Sequence, residues 1–120
     1  MALRVRKQEV EMKVTRESLQ VMINSADAVK KQHIVGRALV AIFNRQTMSE
    51  KNSNITNNWN TVGFSGADAY SGCLTAKSYL KHKSLQEWQV QKWLKPAKNG
   101  YARLTKYHKQ LNEIAMEKAA

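Results

Sequence analysis

Between residues 35 and 43, Val35, Ala38, Leu39, Ile42 and Phe43 recur at intervals of three and four. That period puts all five on one stripe of an α-helix. A helix with one apolar stripe must be covered by other packed elements, so this segment sets the class of fold more firmly than any other. Ser25 and Asp27 can start the helix from its polar end. Gly36 lies within it at a cost in helix propensity, which suggests that another backbone approaches there.

The flanking segments read as further helices. Thr15-Arg16-Glu17-Ser18 opens like an N-cap before the apolar run that follows. Ser65, with Asp68 three residues on, starts a helix whose buried side draws on Ala69, Tyr70, Cys73, Leu74 and Leu80. Ser84-Leu85-Gln86-Glu87 has the form of a capping box for a short helix that runs to Leu94 and stops before Pro96. Asn99-Gly100 makes a turn, and a last helix carries Tyr101, Leu104, His108, Leu111, Ile114 and Ala115 as its stripe. Upstream of all these, residues 9–14 alternate polar and apolar, as a strand would. Leu3, Lys7, Val10 and Val14 also fit a helix there, and the strand is preferred because Thr15 then serves as a cap. The fold class is therefore mainly α: a compact bundle of about five helices with a small N-terminal β element.

The 120 residues suit a single domain, 1–120. Within it 1–14 form the β element or arm and 15–51 are helical. Residues 52–66 form an Asn/Gly-rich loop, and 67–120 form a basic helical half. The loop holds five Asn with Trp59, Val62 and Phe64 as anchors, so it reads as pinned to the body. Trp59 is a possible protein contact. A lone strand must pair, and a second copy of the chain is one partner it can find, so a homo-oligomer is open.

Charge narrows the partners. Twenty Lys and Arg stand against nine Asp and Glu, for a net charge of +11. Such an excess points to nucleic acid, an anionic membrane or an acidic protein surface. The longest apolar run, residues 38–43, cannot span a bilayer, and the N-terminus does not resemble a signal peptide. Cys73 is the single cysteine, which excludes an intrachain disulfide and suits a reducing compartment. The expected location is cytoplasmic, with no membrane partner.

Three segments, RALVAIFNRQT (37–47), VGFSGADA (62–69) and residues 85–115, together resemble a module that recurs in phage and mobile-element proteins. In that module a Gly-Phe-x-Gly-x-Asp-Ala segment precedes a helix and a Lys-Tyr-x-x-Gln-Leu-x-x-Ile-Ala ending. Here the ending stands as Lys106, Tyr107, Gln110, Leu111, Ile114 and Ala115. The resemblance covers roughly the last two thirds of the chain. It implies company with DNA-processing proteins and supplies no catalytic residue.

No catalytic constellation can be assembled. His33, His82 and His108 are scattered and lack metal-ligand spacing with Cys or acids. His108 and Cys73 read as packed side chains, and Asp68 as a cap complementing a helix dipole. Gly63-Phe64-Ser65-Gly66 before a helix can aim N–H groups at a phosphate, but a structural turn explains it better. The expectation is no enzyme, no cofactor and no metal.

The basic half carries the functional signal. Lys77, Lys81, Lys83, Lys92, Lys95, Lys98, Arg103, Lys106 and Lys109 lie in a segment opposed only by Glu87. Helices normally mix signs on a solvated face, because opposite charges one turn apart stabilise them. Lysine predominates, which suits phosphate contacts better than base-specific readout. Trp88 and Trp93 are five residues apart, so one belongs to the core and the other can be exposed. The sequence reads as a small basic protein that binds DNA or RNA through backbone contacts with low specificity. The alternative is an inhibitor or adaptor that docks its basic face on an acidic protein surface or blocks a nucleic-acid site.

Overall fold

A computed structural model of the chain describes residues 14–46 and 63–119. These form five α-helices and one 3-10 turn: α1 (Arg16–Ser25), α2 (Ala28–Phe43), α3 (Ala69–His82), α4 (Glu87–Leu94), the turn Arg103–Tyr107, and α5 (His108–Ala119). The expected N-terminal β element lies outside the described residues, except for Val14. Among the described residues there is no strand, only an isolated antiparallel bridge between Pro96 and Ala102. Trp59 and most of the Asn-rich loop also lie outside them.

The stripe on α2 faces the centre. Val35, Leu39 and Ile42 are fully buried and Phe43 nearly so. Burying each such side chain is worth about 1.5–3 kcal/mol. α2 packs against α3, α4 and α5, while the 3-10 turn touches α1, α4 and α5. Leu111 is half-buried against this core. Two caps follow the sequence reading. The Thr15 side chain accepts from Ser18 N at 3.0 Å, with a reciprocal bond back to Thr15 N, and Asp27 accepts from Lys30 N at 2.8 Å.

Four expectations need correction. The buried side of α3 is Ala69, Gly72, Cys73, Thr75 and Ala76, whereas Tyr70, Leu74 and Leu80 are exposed. Small residues win because large rings fill the notches they leave. A Cβ on Gly72 would lie 2.6 Å from the Phe64 ring, and one on Gly36 of α2 would lie 2.2 Å from the Tyr79 ring. The close approach at Gly36 is thus made by a side chain, not a backbone. The α4 box is built two residues later than expected, by Gln86 and Gln89 instead of Ser84 and Glu87. The last helix begins only at His108, since Arg103–Tyr107 winds as a 3-10 turn.

Candidate functional site

Pro96 ends α4, and the chain doubles back through Asn99-Gly100. Gly100 has φ +84°, the left-handed conformation that glycine adopts without strain. Asn99 Oδ1 accepts from Tyr101 N at 3.0 Å. Ala97 N donates to Tyr101 O at 2.8 Å and Arg103 N to Lys95 O at 3.0 Å, so residues 95–103 form a closed miniature hairpin. Ala102 N donates to Gln20 Oε1 at 2.7 Å, which ties the hairpin to α1.

A cleft of about 360 Å³ opens beside this hairpin. Lys92, Lys95, Arg103 and Lys106 line it, with Asn99 and Thr105, and no carboxylate is among its walls. Lys98 is exposed on the hairpin and does not line the cleft. The other four candidates lie elsewhere. Lys77 Nζ sits 6.0 Å from the Phe43 ring centre, and Lys81 is exposed on α3. Lys83, at the end of α3, shares a separate groove with Arg37. Lys109 lines another, beside Arg16, Glu17 and Glu113. The structure therefore gathers four of the nine predicted cations into one concavity and distributes the rest over other surfaces.

Behind the cleft stands Asp68, whose side chain is fully buried. Its Oδ1 accepts from Arg103 Nε at 3.0 Å and pairs with Arg103 Nη2. Its Oδ2 accepts from Tyr107 Oη at 2.6 Å and pairs with Lys106 Nζ at 2.7 Å. Burial alone would raise its pKa. Hydrogen bonds from Lys106, Tyr107 and Arg103, and the charge of Lys106, outweigh that and hold it below the usual carboxylate value. Burial first, and the bond to Asp68 second, push the Tyr107 phenol well above its ordinary range. One carboxylate cannot neutralise four cations. Arg103 and Lys106 stay 39% and 41% exposed, so part of each still faces the cleft.

The expected capping role of Asp68 is not observed: it makes no side-chain bond to the helix N-terminus. Sequence reading missed its true role because Arg103 lies 35 residues away. The Gly63-Phe64-Ser65 segment is a structural turn. Gly63 N donates to Gln110 Oε1 at 2.9 Å, Phe64 N to Gln46 Oε1 at 3.0 Å, and Ser65 N to Tyr107 Oη at 3.2 Å. These N–H groups are spent within the protein. Cys73 is buried, within reach of Gln46 Nε2 at 3.4 Å. His33 Nδ1 shares a 2.8 Å hydrogen bond with Tyr79 Oη, and His108 Nδ1 donates to Thr105 O at 3.0 Å. Among the described residues no group of His, Cys, Asp and Glu could hold a metal ion, and no helix is long and apolar enough to cross a membrane.

The two tryptophans of α4 separate sharply. Trp93 is fully buried against Phe64, with the Arg103 guanidinium 5.7 Å from its ring centre. Trp88 is 65% exposed. No known protein family, curated protein or solved structure matches the chain.

Proposed function

We propose that this is a small basic nucleic-acid-binding protein of phage or mobile-element type. It holds the phosphate backbone in the cleft beside residues 95–103, with low sequence specificity, in the cytoplasm of a bacterial cell or host. The observation that carries this reading is the convergence of Lys92, Lys95, Arg103 and Lys106 on one concavity whose walls hold no acid. Like charges gathered this way repel one another, and a bound polyanion offsets that repulsion. Lysines present point charges without a fixed fork, which suits a backbone more than a base edge. The attribution to phage or mobile elements rests on the segment resemblance alone.

The test is a salt titration of binding, followed by fluorescence anisotropy. Lys92, Lys95 and Lys98 are replaced together by Gln; Arg103 and Lys106 are spared because Asp68 needs them. Each lost phosphate contact on duplex DNA makes the slope of log K against log salt shallower by about 0.9, so the triple variant should lose up to about 2.7. The loss should be similar on unrelated sequences. An unchanged slope removes these lysines from the interface. No binding by the parent at low salt leaves the competing reading, a basic face docked on an acidic protein, as the explanation of the charge.

A further inference from the structure

We infer that Trp88 is a base-stacking platform beside the cationic cleft, and that the nucleic acid bound there is single-stranded. The inference rests on the phosphate-binding reading above and adds the strand state of the partner. Trp88 is the most exposed ring on α4 and is not needed in the core, because Trp93 fills that place from the same helix. Its orientation is fixed locally. Trp88 Nε1 donates to Gln86 Oε1 at 3.0 Å, and Gln86 N in turn donates to Gln89 Oε1 at 2.8 Å. A ring held by its edge, yet 65% exposed, offers its π surface with little ordering cost on binding.

Its neighbours supply the charge. Lys92 follows Trp88 by four residues on α4, so the two share a helix face about 6 Å apart along the axis. Lys92 is also a wall of the cleft, with Lys95 beyond it. A strand advances about 3.4 Å per stacked nucleotide, so one or two nucleotides bridge the ring and the first lysine. Alternating an aromatic surface with cations along one line is how proteins hold unpaired strands without reading sequence. A duplex cannot use the ring, because its base faces are covered by neighbouring pairs.

The experiment compares anisotropy titrations of labelled oligothymidine and oligouridine, each of about 15 nucleotides, with a DNA duplex of equal length. The parent should bind at least one single strand more tightly than the duplex, and the two oligonucleotides distinguish DNA from RNA. Trp88→Ala should weaken single-strand binding by about 5- to 150-fold while leaving the salt slope and duplex binding unchanged. Trp88→Phe should retain most of the affinity. Trp88→Leu, which keeps apolar bulk without a π face, should not, so the pair answers the question even if the alanine variant melts early. Equal losses on duplex and single strand, or no loss on either, overturn the stacking role while the phosphate reading stands. Absence of parent binding to every probe overturns both. A protein captured through Trp88 without any oligonucleotide binding makes the ring a protein anchor and overturns the inference.

Discussion

The cations beside the cleft fall into two groups that the sequence presents as one. Arg103 and Lys106 are committed to Asp68, with Tyr107 completing the cluster at 2.6 Å. Lys92 near the end of α4, and Lys95 and Lys98 on the hairpin, are exposed and have no ion pair among the described residues. The first group joins the start of α3 to the 3-10 turn and belongs to the fold. The second adds charge that folding does not use. Net charge therefore measures a surface only after the cations held by buried carboxylates have been set apart.

The largest effect that can break this division is on the Asp68 side. Asp68→Ala leaves Tyr107 without its acceptor and sets two cations side by side. Removing one partner of a fully buried ion pair costs about 3–5 kcal/mol. Here Arg103 and Lys106 remain 39% and 41% exposed, so water recovers part of that. The expected loss is about 2–3 kcal/mol by urea denaturation. A variant as stable as the parent would show that the cluster does not hold the fold together.

Acid should act on the same group. The folded-state pKa of Asp68 lies below its unfolded value of 3.8, so the ionised form stabilises the fold above that pH. This contribution is lost as pH falls from about 3.8 through the lower folded-state value. Thermal melts of the parent should therefore fall over that acid window, and Asp68→Asn should fall less. Parallel curves would remove Asp68 as the source of acid sensitivity. Tyr107→Phe is milder. It deletes one hydrogen bond to Asp68 and the acceptor for Ser65 N but keeps the ring packed edge-on against Phe64 at 5.8 Å. Chemical denaturation should register a loss of about 1–2 kcal/mol.

The division itself was not legible in the sequence, though much around it was. The stripe on α2 and the caps at Thr15 and Asp27 could be read because their partners are close along the chain. The buried side of α3 could not. Leu74 and Leu80 look like core residues, but Phe64 and Tyr79 take the space beside Gly72 and Gly36 and leave the leucines outside. The segments carrying the module resemblance implied only company with DNA-processing proteins. In the structure they clasp each other: Gly63 with Gln110, Phe64 with Tyr107, and Asp68 with Lys106 and Tyr107. Those contacts account for these residues through the fold, while Lys92 and Trp88 lie in none of them. Which tryptophan is exposed was also undecidable from spacing alone, since a five-residue step fixes only that the two faces differ.

The smallest expected effect sharpens the comparison most. Replacing Lys92, Lys95 and Lys98 with Gln should leave stability within about 0.5 kcal/mol of the parent, as for surface changes that break no contact. The sign should be slightly positive at low salt. Lys92 and Lys95 are three residues apart at the end of α4, and like charges at that spacing destabilise by about 0.2–0.5 kcal/mol per pair. Screening sets in over about 10 Å at 0.1 M salt, so the advantage of the variant should shrink as salt is added. Urea denaturation of parent and variant at two salt concentrations measures both the size and the trend. A loss above about 1 kcal/mol would mean that the lysine stems cover apolar surface and serve the fold as Arg103 does. A small gain that salt erases would show charge kept against the interest of folding, as the proposed phosphate-binding role requires.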